Sequence, residues 1–288
     1  MKEKGNESIS GQIDEPMSKI GNRLFLFMGI VVMLIALWHI CDGLKDYYQA
    51  DRLYEKAKQE YVLEKNSNVI WENNLPITDS KKNEEMAAEE WQNRITVNIE
   101  KLQEENPDIV GWIYFEQEEI SYPVLFSGDN QTYLRKAYTG ESVTAGSIFM
   151  DGSNSFDFSD SHILIYGHNM RDLSMFGRLK YYKTQDGYYD THQYFQIITK
   201  DNYYRYRIFA YKDVTATDGI YRVIQKNQKE LADFAKSHIQ KGSYLLTEEE
   251  IQNEDQVITL STCTKENERF VVSGVLVDVA SRSTNDNP

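Results

Sequence analysis

Residues 256–280 read QVITLSTCTKENERFVVSGVLVDVA. Two runs rich in β-branched residues, 256–263 and 269–280, flank a polar connection of five residues, 264–268. β-Branched residues favour strands, and five residues is a usual length for a hairpin connection. The stretch therefore predicts a β-hairpin in which Cys263 ends the first strand and Arg269 begins the second.

Upstream of this hairpin, further short runs of β-branched and aromatic residues are separated by turn-forming residues. They are IVGWIYF (109–115), ISYPVLF (120–126), GSIFMD (146–151), HILIYGH (162–168), QYFQIIT (193–199) and YYRYRIFAYKDV (203–214). About eight strands with few helices predict a mainly β domain built as a closed or nearly closed barrel. Helical interruptions are expected near residues 173–182 and 227–240.

The region before the barrel carries helical patterns. Apolar residues at helical spacing predict a stalk helix after residue 42 and a second helix that stops before Pro107. The stalk stripe comprises Leu44, Tyr47, Tyr54, Ala57 and Tyr61, and the second comprises Trp91, Ile95, Ile99 and Leu102. Between them, residues 66–84 are rich in Asn, Ser and Lys and are typical of a linker.

Residues 24–41 read LFLFMGIVVMLIALWHIC and contain no charged side chain. Eighteen residues at about 1.5 Å each span roughly 27 Å, close to the thickness of the hydrocarbon core of a bilayer. A cleaved signal peptide is the main alternative, but no small-x-small cleavage site follows the apolar run. We predict an uncleaved transmembrane anchor, whose orientation the Lys and Arg residues on both sides leave open.

The overall charge and the short motifs exclude several classes of function. The formal net charge is −14 at pH 7, so the basic surface that nucleic-acid binding requires is not expected. There is no Cys/His cluster with zinc spacing, no Gly-rich phosphate loop and no dinucleotide fingerprint. We therefore predict neither a metal nor a cofactor.

Cys263 is the one cysteine outside the anchor region. A buried, inert thiol is the alternative to a reactive one, because free cysteines are often buried. Strand alternation puts Cys263 and Ser261 on one face, at a strand end beside a polar loop that substrate can reach.

Two further residues form a possible catalytic set with Cys263. The predicted hairpin holds Arg269 across from Cys263, where a guanidinium favours a thiolate and polarises a carbonyl. The alternative for Arg269 is a surface salt bridge with Glu266 or Glu268. His168 ends the strand HILIYGH and is the best-placed acid or base, the alternative being a capping or packing role.

At this point the chain resembles the sortases, and class B in particular, over about residues 95–280. Two motifs carry the resemblance: Thr259-Leu260-Ser261-Thr262-Cys263 with Arg269 downstream, and Tyr166-Gly167-His168-Asn169-Met170. The stretches 110–113, 120–124 and 146–151 are also similar. Their occurrence together, in order and on predicted strands, makes the resemblance specific.

The resemblance implies an eight-stranded barrel with N-terminal helices, a Cys263–His168–Arg269 site and a place outside the cytoplasmic membrane of a Gram-positive bacterium. The implied domains are a cytoplasmic tail (1–23), an anchor (24–41), a stalk and linker (42–84), a catalytic domain (85–280) and a tail (281–288). Residues matching the family's substrate groove are Asn130, Leu134 and Ser261. Thr215 and Ile220 are added on a looser match, because the segment DVTATDGIYR departs from the family's pattern.

The implied reaction is acyl transfer from a C-terminal sorting signal, similar to NPxTN, to a peptidoglycan-precursor amine. Cys263 attacks the carbonyl after Thr, Arg269 stabilises the oxyanion, and His168 acts as acid and then base. Two alternatives remain open: a pilin polymerase that uses a lysine of another subunit as the amine, and a non-catalytic membrane-tethered binding domain.

Overall fold

The computed structural model describes residues 16–64, 91–226, 228–263 and 267–282. The chain forms two compact units, Met1–Asp46 and Tyr47–Pro288. In the first unit, the described residues belong to helix α1, which begins at Pro16 and whose full range is Pro16–Tyr61. Its segment Arg23–Cys41 has a mean hydropathy of 2.6 and is long and apolar enough to cross a membrane. The predicted anchor lies within this segment.

The second unit is built around strands. They are β1 (Val62–Glu64), β2 (Ile95–Val97), β3 (Ile109–Phe115), β4 (Ser121–Leu125), β5 (Ile148–Met150), β6 (His162–Tyr166), β7 (Tyr194–Ile198), β8 (Asn202–Thr215), β9 (Tyr244–Leu245), β10 (Val257–Cys263) and β11 (Glu268–Ser281). Neighbouring strands follow the order β11-β10-β6-β5-β4-β3-β7-β8, and β8 pairs again with β11. This ring is a closed barrel of eight strands, as predicted, with β9 added beside β8.

Two of the strand pairings in the ring are parallel, and such pairings bring the carboxyl ends of two strands together. β6 pairs parallel with β10, and β4 pairs parallel with β5, whereas the other strand pairs of the ring are antiparallel. In a parallel pair both strands run the same way, so their carboxyl ends meet at one edge. The chain therefore leaves β6 and β10 at the same rim of the barrel.

The segment 91–105 differs from the single predicted helix. It contains a 3₁₀ turn, Trp91–Asn93, then strand β2, and then helix α2, Ile99–Glu105. β2 is antiparallel to β1, with Val97 opposite Val62, and Asn98 accepts a hydrogen bond from the Lys101 backbone amide at the start of α2. The prediction of one helix was wrong because β1 supplies a strand partner that local periodicity does not reveal.

The end of α1 that belongs to the second unit packs on the barrel. Ala50, Tyr54, Ala57 and Tyr61 are buried along one face, at the spacing of a helix stripe. The Tyr54 hydroxyl donates a 2.5 Å hydrogen bond to the Gly146 carbonyl. This face confirms the helical periodicity that the sequence indicated for the stalk, while the predicted linker at 66–84 lies outside the described residues.

Short helices occur where interruptions of the strands were expected. A 3₁₀ turn at Gly177–Lys180 is followed by α3 (Tyr181–Thr184) and α4 (Tyr188–Thr191). Later, α5 (Leu231–Phe234) continues into a π turn, Ala235–Ile239. Side chains from this later region pack on β8, β10 and β11 as a second apolar cluster, separate from the main barrel core.

Candidate active site

The parallel pairing of β6 with β10 builds the site. Its register places Ser261 beside Tyr166, and the Gly167 amide donates a 3.1 Å hydrogen bond to the Ser261 carbonyl just beyond the last pair. His168 follows two residues after the end of β6, and Cys263 is the last residue of β10. The two predicted catalytic residues therefore belong to chain segments that end side by side at one rim.

The hairpin between β10 and β11 brings in the third residue. The Cα atoms of Cys263 and Arg269 are partners in its antiparallel register. Arg269 is half-buried as a residue, and its Nη1 donates a 3.0 Å hydrogen bond to the Glu268 carbonyl. The pairing agrees with the position that the hairpin length predicted for Arg269.

The imidazole of His168 has a defined orientation. Its Nε2 lies 2.7 Å from the Leu134 carbonyl oxygen, which can only accept a hydrogen bond, so Nε2 carries a proton. In the neutral ring the lone pair is then on Nδ1. The backbone on either side is also held, because the Phe176 amide donates to the His168 carbonyl at 3.0 Å. His168 thus keeps one nitrogen available for proton exchange.

Gly167 allows the close packing that places His168. A Cβ atom at this position would lie 2.4 Å from Cδ1 of Ile148 and 2.7 Å from Cδ2 of Phe176. Both distances are shorter than van der Waals contact, so a side chain at this position would force the buried Ile148 and Phe176 side chains to shift. Glycine immediately before the histidine therefore permits this close packing.

A groove of about 540 Å³ lies at this rim and includes His168 and Arg269 in its lining. Three of the predicted substrate-binding residues, Asn130, Leu134 and Ser261, also line it. In the part of the chain that the structure describes, no group of three or more His, Cys, Asp or Glu side chains is arranged to hold a metal ion. Ser261 and Thr262 belong to the lining, so the groove lies beside the end of β10.

A buried carboxylate organises one wall of this groove. Oδ2 of Asp151 accepts hydrogen bonds from Nδ2 of Asn130 and from the Tyr166 hydroxyl, both at 2.8 Å. The Gly152 amide donates to Oδ1 of Asn130 at 2.8 Å, which fixes the amide orientation of that side chain. Burial and the neighbouring Asp151 carboxylate raise the pKa of Tyr166 well above its ordinary value, so this phenol stays protonated and donates to Asp151.

Aromatic rings and a short polar contact form another part of the lining. Tyr166 lies between Phe149 and Tyr221, with ring centroids 5.4 and 6.2 Å away. The Tyr221 and Ser261 hydroxyls are 2.9 Å apart. Tyr221 and Asp151 were missed by the sequence analysis as groove residues, although the aromatic residue in the segment DGIYR was a usable signal.

Thr215 and Ile220, which the sequence-based match added, are not among the residues that line the groove. Thr215 is exposed at the end of β8, and Ile220 is fully buried in the second apolar cluster. The 3₁₀ turn Gly219–Tyr221 accounts for the position of Ile220, whose amide donates a 2.9 Å hydrogen bond to Oδ1 of Asp218, the residue that caps the turn. The turn directs Ile220 into the core, and Ala216 and Tyr221 line the groove instead.

Comparisons with known proteins agree with this geometry. The family model described as the sortase domain matches residues 116–277. The curated protein "Sortase B" of Listeria monocytogenes is 38% identical over 186 residues, which cover 62% of this chain and 74% of that protein.

Solved structures are similar over more of the chain. The crystal structure of sortase B from Bacillus anthracis in complex with AAEK1 has a TM-score of 0.63 and 28% identity, covering 82% of this chain and 99% of that one. A Streptococcus pyogenes class B sortase involved in pilus biogenesis has a TM-score of 0.56 and 29% identity, covering 63% and 98%. With the closed barrel and the shared rim, these findings lead to one conclusion. The chain belongs to class B of the sortase family of cysteine transpeptidases.

Proposed function

We propose that this protein cleaves a C-terminal sorting signal similar to NPxTN after its Thr and transfers the acyl group to a cell-wall amine. The convergence of His168, Arg269 and the end of β10 on one groove is the observation that supports this proposal. The acyl group is carried as a thioester on Cys263. The intermediate conserves the energy of the cleaved amide, so the transfer requires no nucleotide.

In the first half-reaction the Cys263 thiolate attacks the Thr carbonyl carbon, and the carbonyl oxygen becomes an oxyanion. The Arg269 guanidinium stabilises that negative charge, as a donor held in place before the reaction. His168 in its imidazolium form carries a proton on each nitrogen. Because Nε2–H is held by the Leu134 carbonyl, the proton on Nδ1 is the one delivered to the departing amine.

In the second half-reaction His168 reverses its role. The neutral imidazole accepts a proton at Nδ1 from the incoming amine, which attacks the thioester and releases Cys263. The product is a new amide between the Thr carbonyl and the acceptor.

The groove lining supports recognition of an extended peptide. We propose that Asn130, Leu134, Ser261 and Tyr221 contact the signal residues before the scissile bond. The Asn130 amide is oriented by Asp151 and the Gly152 backbone, so it presents a preformed polar contact. Preformed contacts lower the conformational cost of binding.

The acceptor amine defines a second candidate function. The similarity to a class B sortase involved in pilus biogenesis favours, as the alternative, a reaction in which a pilin lysine takes the acyl group. Offering the acyl-enzyme either a peptidoglycan cross-bridge amine or a lysine peptide separates the two. Cell-wall anchoring requires preference for the first amine, and pilin polymerisation requires preference for the second.

We propose that residues 24–41 anchor the protein in the cytoplasmic membrane. The tail 1–23 then faces the cytoplasm, and the stalk and linker (42–84), catalytic domain (85–280) and tail (281–288) lie outside. The helix Arg23–Cys41 supports the anchor by its length and apolar composition. Protease added to intact protoplasts should remove the catalytic domain, and its protection would contradict this orientation.

The central experiment traps the intermediate. Full-length protein in detergent is incubated with NPxTN-like and LPxTG-like peptides, and a thioester adduct on Cys263 is measured by mass spectrometry. We expect an adduct with the wild type and none with Cys263→Ala. Undiminished cleavage by Cys263→Ala would overturn the proposal.

A further inference from the structure

His162 is a buried histidine that the proposed chemistry does not use. It is the first residue of β6 and is fully buried. Its Nδ1 lies 2.7 Å from the Arg222 carbonyl oxygen, and its Nε2 lies 2.9 Å from the Thr259 hydroxyl. Since a carbonyl only accepts, Nδ1 carries the proton and Nε2 accepts from Thr259.

The segment 219–224 runs beside β6 and connects His162 to the groove. At one end the His162 backbone amide donates to the Ile224 carbonyl at 3.0 Å, in an antiparallel bridge between these two residues. At the other end Tyr221 meets Ser261 and stacks on Tyr166. His162 therefore contacts the backbone of the same short segment that presents Tyr221 to the groove.

We propose that His162 is a positioning residue for substrate recognition, and that it sets the place of Tyr221 through the carbonyls of Arg222 and Ile224. The imidazole acts on the segment at Arg222, one residue from Tyr221, while the backbone amide acts at Ile224. Loss of the Nδ1–H donor leaves the Arg222 carbonyl without this partner. The segment 219–224 can then shift, and with it the Tyr221 side chain that lines the groove. This role rests on the proposed function, because its consequence is a weaker fit of the sorting signal.

Two substitutions at the same position separate this role from general stabilisation of the core. Asn places an amide N–H near the position of Nδ1 and so retains the donor to Arg222. Gln places its amide near Nε2, where it reaches Thr259 but not Arg222. Both remove the ring that packs on Phe234 at a centroid distance of 5.0 Å, so the two variants share the loss of that ring contact.

We expect His162→Gln to raise KM for the sorting-signal peptide about tenfold with kcat within about threefold of the wild type. His162→Asn should recover most of that loss in KM. Ser273→Ala is the control, because Ser273 is bonded to the far side of Thr259, at 3.0 Å, in the same hydrogen-bond chain. It should leave KM unchanged. Equal KM values for the Gln and Asn variants would overturn the proposal.

A measurement on the wild-type protein needs neither a variant nor a substrate. In full-length protein in detergent with ¹⁵N-labelled histidine, His162 should be the neutral Nδ1–H tautomer, opposite to the Nε2–H tautomer expected for neutral His168. An Nε2–H tautomer at His162 would overturn the proposal even if the Gln variant does not fold. Faster hydrogen exchange of residues 216–226 in the Gln variant than in the Asn variant would support it. If the wild type forms no acyl-enzyme, the proposed function fails, whereas the tautomer and exchange results still test the contact with Arg222.

Discussion

The two ends of β6 carry histidines in opposite environments. His162 is fully enclosed, with both ring nitrogens bonded inside the protein, whereas His168 is half-exposed and has one nitrogen held by the Leu134 carbonyl. Six residues apart in the chain, they differ because one lies under the second apolar cluster and the other lies at an open rim. Burial disfavours the charged form of an imidazole, whereas a partly exposed imidazole can exchange a proton with a bound group.

We expect the largest effect in this comparison from a substitution that prevents His168 from exchanging a proton. His168→Gln keeps an amide able to donate to the Leu134 carbonyl but cannot act as acid or base. We expect kcat/KM for a sorting-signal peptide to fall by about 10²–10⁴-fold, with the urea midpoint little changed. Steady-state kinetics and urea unfolding are measured on the same preparation. A loss below tenfold would remove His168 from the chemistry.

At His162, the buried end of β6, we expect a loss of stability. His162→Ala leaves a cavity and removes a partner from both the Arg222 carbonyl and the Thr259 hydroxyl. The free energy of unfolding should fall by about 2–4 kcal/mol. Urea unfolding followed by tryptophan fluorescence measures this, and an unchanged midpoint would contradict the burial of the imidazole.

The pH dependence of stability tests whether the buried imidazole of His162 stays neutral in the folded protein. Burial lowers the pKa of His162 from 6.5 to about 4. Between these values the unfolded chain binds a proton that the folded chain does not. The free energy of unfolding should therefore decrease as pH falls from 6.5 towards 4, by on the order of 3 kcal/mol in total. The slope is measured by urea unfolding across this range, and it should flatten in His162→Asn. An equal slope in that variant would assign the effect to other groups.

The smallest effect concerns the loop that follows His168. Leu173 has a φ of +72°, in the left-handed region that a leucine rarely adopts. Asn tolerates this conformation better than Ala, and both remove the leucine side chain. Leu173→Asn should therefore be more stable than Leu173→Ala by about 0.5–1 kcal/mol. Equal urea midpoints for the two variants would show that this loop carries no backbone strain.

Much of the barrel was predictable because its signals are local. Runs of β-branched and aromatic residues indicated the strands, and the predicted hairpin placed Arg269 opposite Cys263, as the register has it. The common rim for His168 and Cys263 follows from the parallel pairing of β6 and β10, which no local pattern specifies. The resemblance to a known family supplied that information in advance.

The features that escaped prediction depend on distant or irregular partners. Strand β2 exists because β1, about thirty residues earlier in the sequence, pairs with it, and apolar spacing alone resembled a helix. Thr215 and Ile220 were chosen for the groove on a loose match, but the turn that Asp218 caps puts Ile220 in the core and its neighbour Tyr221 in the groove lining. A loose match to a family's pattern does not resolve a difference of one residue in an irregular segment.

The closure of the ring by β11 has a consequence for biosynthesis. β10 and β11 are the last strands that the structure describes, and they carry Cys263 and Arg269. A nascent chain that ends before them has unpaired edges on β6 and β8, which can pair with other chains. Cys263, the proposed nucleophile, and Arg269 therefore join the fold at the step that removes those edges. An emerging chain does not complete the proposed reactive centre until it has also become resistant to edge-to-edge aggregation.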